Sequence, residues 1–321
     1  MGGSSISSSS MKSYYEERSS TWGKATNCQQ VFKETSMLPE FDPSVMKLPR
    51  EACDSAESPR SRGIIYAEDV TGSMGSFIMS LITQEFPRLI RLTYDAVSYN
   101  PHICFMGVGD AVCDIAPLQV TQFETDLRML DQLQKIYIEE GGGGNDYESY
   151  ILPWYFAGKY VKMDCWEKRR EKGFLFTFGD EEPTPSLSRR DIEKVFGSKD
   201  YMQEPFITAE DCLKMASEKF NCYHIILHGS HYNWYSKTVI RKWNDLMGSH
   251  AIDLSDHQYL PELVTTILNM YEGHSKTESI EKIQGETAKR VVKKALEDHE
   301  EWVEKDEDAS SDNADSKIEL F

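Results

Sequence analysis

The 321-residue chain is 40% hydrophobic and 11% aromatic, enough to build a large core, which excludes wholesale disorder. Its formal net charge of -18 opposes nucleic-acid phosphates and anionic membrane surfaces, so neither is an expected partner. Seven cysteines without a C-x-x-C pair, and no apolar run near the roughly 18 residues of a spanning helix, predict a cytoplasmic, unanchored protein without a disulfide framework.

Residues 1–62 open with the low-complexity stretch SSISSSS and are punctuated by Pro43, Pro49 and Pro59, the pattern of an extended arm. Trp22, Phe32, Met37 and Phe41 are the anchors by which such an arm would pack on a domain. From Gly63, short apolar runs alternate with helical patterns, the signature of a parallel sheet wound with crossover helices. Expected strands cover 63–69, 102–109, 173–179, 222–228 and 250–254. Expected helices cover 75–94, 123–136, 148–162, 188–196, 208–219, 234–247 and 258–272. In the first helix Phe77, Ile78, Leu81, Ile82, Phe86, Leu89, Ile90 and Leu92 form a wide apolar stripe, which Pro87 should kink. The fold class expected for residues 63–273 is therefore α/β: one domain with a doubly wound, mostly parallel central sheet and helices on both faces.

Residues 274–321 read in two parts. Ser275 and Glu278 make a capping-box start, and Ile280, Ile283, Val291, Ala295 and Trp302 follow at near-helical spacing, predicting a helix that runs through Gly285. From Glu297 to Phe321 there are 11 acids against 2 lysines, half of the net charge, which reads as a solvated tail ending in KIELF.

Chemistry concentrates in GIIYAEDVTGSMGSF, residues 63–77. The apolar strand ends at Asp69, and Asp69, Thr71 and Ser73 then offer one carboxylate and two hydroxyls at alternate positions, turned by Gly72 and Gly75 before a helix begins. Oxygen ligands at the carboxyl end of a parallel strand suit a hard cation, Mg²⁺ or Mn²⁺. A helix cap is the alternative, with Thr71 or Ser73 accepting amide hydrogens and Asp69 favoured by the helix dipole.

The D-x-[ST]-x-S pattern after a strand resembles the first signature of the von Willebrand factor A (vWA) family, whose metal-ion-dependent adhesion site (MIDAS) it marks. FLFTFGDEEP, residues 174–183, is similar to the family's later strand and aligns Asp180 with its metal-site acid, Glu181 replacing the glycine that usually follows. GGGGNDYES, residues 141–149, resembles the family's middle loop. Aligning Asn145 and Glu148 with the family's Asn and Glu places Gly144 at the metal-binding threonine, which leaves Asn145 or Asp146 to supply an oxygen. The stretches DVTGSMG, FMGVGD, APLQVTQFET, ESYILPWYFAGKY and KGFLFTFGDEEP look like a bacterial and bacteriophage branch of the family.

The resemblance implies a non-enzymatic, metal-dependent protein-protein interaction module. In it, Asp69, Thr71, Ser73, Asp180, Asp146 and Asn145 would hold the metal, while Gly144, Glu181, Asp110 and His231 would face the partner. Relatives near this branch accompany MoxR-type AAA+ ATPases, which makes such an ATPase a candidate partner. Two other classes stay open. A Mg²⁺-dependent hydrolase or phosphatase on a similar sheet would need a second acid two residues after Asp69, where Thr71 stands; a structural phage or assembly protein would use the fold with a vestigial metal site. Asp110 and Asp114 read either as outer-shell groups of the metal or as turn caps. Cys222, His224, His228 and His231 read as core or rim residues in preference to a zinc site.

Overall fold

The computed structural model describes Tyr14 and residues 27–139, 147–228 and 232–299. Apolar runs of the kind that parallel sheets bury on both faces form its centre: β1 (Ser61–Asp69), β2 (Asn100–Val108), β3 (Leu118–Val120), β4 (Gly173–Gly179), β5 (Phe220–Leu227) and β6 (Ala251–Leu254). They lie in the order β6-β5-β4-β1-β2-β3. All neighbours are parallel except the short edge strand β3, which runs antiparallel to β2. This is a mixed α/β fold with a mostly parallel six-stranded sheet.

Alternation along β1 feeds two cores. Ile64 and Tyr66 join a cluster with Phe86, Leu89 and Ile90 of one helix and Leu260, Leu263, Val264 and Ile267 of another. Ile65 and Ala67 join Trp154, Phe156, Cys212, Val239 and Trp243 on the opposite face. The helices on the first face are α1 (Gly75–Ser80), α2 (Phe86–Ala96), α9 (Leu260–Tyr271), α10 (Lys276–Glu281) and α11 (Glu286–Ala295), with α3 (Arg128–Leu133) beside them. The second face carries α4 (Ile151–Tyr160), α5 (Asp164–Arg169), α6 (Arg189–Phe196), α7 (Ala209–Ser217) and α8 (Tyr232–Met247).

Several elements depart from the sequence reading. The expected helix 75–94 is α1 and α2 joined by a π-turn, Leu81–Glu85, in which the Phe86 amide reaches back to the Leu81 carbonyl. Pro87 lacks an amide hydrogen and its ring crowds the carbonyl four residues back, so the wide turn falls just before it. The expected helix 123–136 contracts to α3, and 148–162 to α4. The helix expected to run through Gly285 is two helices, because Gly285 takes φ +96°, a left-handed value that ends an α-helix.

The boundary at 62/63 falls inside β1. The segment before it is strapped to the domain: Phe32 and Phe41 are buried, the Val120 amide donates to the Phe41 carbonyl at 2.9 Å, and Arg50–Ala52 pairs in parallel with Val161–Met163. Met37 is half-buried, and Trp22 lies outside the described residues. Among the described residues no helix is long and apolar enough to cross a membrane.

Candidate functional site at the carboxyl ends of the strands

After β1 the chain leads to β2 and β3 on one side, while β4, β5 and β6 spread to the other. Strand order therefore reverses between β1 and β4, and the crevice beyond their carboxyl ends is where open α/β sheets bind ligands. Asp69 ends β1 and Asp180 follows β4; they are 0% and 3% exposed. One Asp69 oxygen, Oδ1, accepts from the Thr71 amide at 2.9 Å and from the Thr71 hydroxyl at 2.6 Å. A hydroxyl that donates its proton to the carboxylate keeps its lone pairs for a cation. Ser73 lies in the 3₁₀ turn Gly72–Met74, and its side chain is outside the described set.

The other Asp69 oxygen, Oδ2, accepts from the Tyr150 hydroxyl at 2.7 Å, and the Glu181 amide donates to the same hydroxyl at 3.3 Å. Tyr150 thus links the ends of β1 and β4 from its position at the start of α4. Gly179 makes the link possible, since a Cβ there would overlap the Tyr150 ring and hydroxyl. Trp243 of α8 donates to the Glu181 carbonyl at 3.0 Å and packs edge-on to Tyr150, and Lys242 pairs with Glu182. Tyr150 falls within the expected helix 148–162 and was not among the expected site residues.

Asp110 is 2% exposed and caps a turn, its carboxylate accepting from the Val112 and Cys113 amides at 3.1 and 3.2 Å. Asp114 accepts from the Asp110 amide at 2.7 Å, Ser149 Oγ from the Ala111 amide at 2.9 Å, and Glu139 from the Ile115 and Ala116 amides at 3.0 Å. The Asp114 amide closes the turn on the Asp110 carbonyl at 3.0 Å. Lys194 of α6 donates to the Ala111 and Asp114 carbonyls at 2.7 and 2.9 Å. Both Asp110 and Asp114 therefore cap this turn.

Acids accumulate at this edge, and the charges that act on Glu68, Glu148 and Asp114 are those of other acids. Burial, then Asp69, Asp180 and Glu85, push Glu68 well above the usual carboxylate range. Burial raises Asp69 against the hydrogen bonds from Thr71 and Tyr150 that favour its ionised form. Glu148 is pushed up to about 10 by burial, then by Asp69, Asp114 and Asp110, and its buried Oε2 lacks a hydrogen-bond partner. Asp114 rises to about 6 through burial, partly offset by the Asp110 amide and reinforced by Glu139. Glu68 and Glu148 were not among the expected ligands; an acid one residue from the end of an otherwise apolar strand was the available signal for Glu68.

The described histidines of β5 and the residue after it make other contacts. His224 is fully buried, stacks on Trp243 at 3.5 Å and shares a 2.8 Å hydrogen bond with Thr177, while His228 pairs with Asp253 at 2.6 Å. Gly144, Asn145, Asp146 and His231 lie outside the described residues. Among the described residues no three of His, Cys, Asp and Glu are grouped to hold a metal ion; the set built on Asp69 and Asp180 has two carboxylates, with hydroxyls beside them.

No family model matches the chain, and no curated protein matches it. Among solved structures the chain is similar to the pilus adhesin SpaC from Lactobacillus rhamnosus GG in its open conformation, at 10% identity and a TM-score of 0.43, covering 74% of this chain and 30% of the adhesin. A second structure of that adhesin gives 10% identity, a TM-score of 0.39, and coverage of 74% and 31%. The chain thus spans less than a third of the length of the adhesin chains to which it is similar.

Proposed function

We propose that this chain is a vWA-like, doubly wound module that binds a protein partner through a divalent cation, Mg²⁺ or Mn²⁺, seated at Asp69, Thr71, Ser73 and Asp180. The carrying observation is the placing of Asp69 and Asp180 at the reversal of strand order, beside the buried carboxyls of Glu68 and Glu148, both of which Asp69 raises. An all-oxygen donor set fits a hard cation that keeps some of its waters. Four protein oxygens would leave an octahedral ion two positions held by water, at which it could take a carboxylate from a partner. A partner Asp or Glu would replace a water, making binding sensitive to chelators. An AAA+ ATPase of the MoxR type is the candidate partner that the family resemblance supplies.

Catalysis by phosphotransfer fits less well. Asp69 is held by three hydrogen bonds, and Thr71 stands where a general acid would be needed. Calorimetric titration of the full chain with Mg²⁺ and Mn²⁺ tests the proposal. Binding by the wild type and its loss in Asp69→Ala, with thermal unfolding showing that the variant is folded, is the expected result; a wild type that binds neither ion sinks the metal-dependent mechanism.

A further inference from the structure

Glu68 precedes Asp69, so strand alternation turns it to the opposite face of the sheet, the face on which Tyr66 packs. There Tyr66 stacks on Phe86, ring centroids 6.5 Å apart, and Glu85 is the residue before Phe86, the last of the π-turn. The register therefore brings Glu68 of β1 and Glu85 of the π-turn into one layer, one step beyond the Tyr66–Phe86 pair towards the carboxyl edge. They are 2% and 4% exposed.

Neither oxygen of Glu68 has a hydrogen-bond partner, nor does Oε2 of Glu85; Oε1 of Glu85 accepts from the Ser80 hydroxyl at 3.1 Å. Arg88, the base that acts on Glu85, is committed to Glu262 at 2.6 Å, and Asp256 adds a further acid from the segment before α9. Carboxyl oxygens withdrawn from water without partners are costly, and a cation or protons must neutralise them. Two carboxylates and a hydroxyl, completed by water, are the kind of oxygen set with which proteins hold Mg²⁺. A π-turn is a local widening of a helix that recurs at functional sites.

We propose that Glu68 and Glu85 hold a second divalent cation beneath the π-turn, on the face of the sheet opposite Tyr150. This site shares no ligand with the one at Asp69 and Asp180, though both of those acids act on Glu68.

The test counts bound Mn²⁺ by electron paramagnetic resonance on the full chain at neutral pH. Two ions are expected for the wild type, one for Asp69→Ala, and one for Glu68→Gln/Glu85→Gln. Glu85→Gln alone gives the same count while leaving β1 intact, and thermal unfolding verifies the fold of each variant. One ion in the wild type, lost in Asp69→Ala and kept in Glu68→Gln/Glu85→Gln, overturns this site and leaves the proposed function standing. One ion lost only in the glutamine variants does the reverse. No bound ion, with the glutamine variants melting at a higher temperature than the wild type, means that protons neutralise the pair and overturns the second site.

Discussion

Tyr150 shows how one residue can carry an arrangement that its neighbours in sequence do not announce. Asp69 and Asp180 were legible because each ends an apolar run, and open sheets collect ligands at such ends. Tyr150 was not, because Tyr150, Trp154 and Tyr155 at the start of an apolar helix look like core, and its reach to Asp69 depends on the missing side chain of Gly179. Replacing Gly179 with Ala should therefore destabilise the protein by about 2 kcal/mol or more, through overlap with a ring that has nowhere to move; urea unfolding checks this. Tyr150→Phe removes the hydroxyl and keeps the ring. It should cost about 1 kcal/mol and weaken Mn²⁺ binding, since Asp69 loses the donor that orients it. Unchanged Mn²⁺ affinity in a stable Tyr150→Phe protein would show that the hydroxyl is a core hydrogen bond and nothing more.

At the level of elements, the long strands and helices were readable from periodicity, and the short or interrupted ones were not. Strand β3 has three residues, too few to show alternation, and is recruited by pairing with β2. The expected kink at Pro87 came out as a π-turn, which keeps the helix running and places Glu85 over the sheet. Gly285 offers a sharp test of the C-terminal extension. In a continuous helix Gly285→Ala would stabilise by about 1 kcal/mol, but at φ +96° an added Cβ is strained, so the substitution should destabilise by a similar amount. Equilibrium urea unfolding of the variant distinguishes the two signs.

Across the whole molecule the two ends of the sheet differ in their response to acid. The carboxyl edge gathers raised acids, whereas the opposite edge holds Asp54 down at about 2, where hydrogen bonds from Arg169 and Ser61 outweigh burial. His102, also at that edge, is lowered to about 4 by burial, against the pull of Asp54 and Asp164. In the unfolded chain a histidine takes its proton near pH 6.5, so between about 6.5 and 4 the unfolded state binds more protons, and stability falls as the pH drops through that window. His102 should account for up to about 3 kcal/mol of that loss, read as the difference in pH slope between the wild type and His102→Asn. The strand order itself was not legible in the periodicity, which records that strands are buried but not which strands are neighbours.

One consequence belongs to the turn between β2 and β3. Seven successive amides, from Asp110 to Ala116, end on oxygens within the protein, five of them on carboxylates. A stretch with neither helix nor strand should then show amide hydrogen exchange as slow as that of the strands it joins. Val112 and Ile115, 68% and 76% exposed at its surface, stand on a stiff mount. Their contact with another protein would lose little backbone entropy, so an apolar pocket meeting this knob would gain nearly the full benefit of burying it.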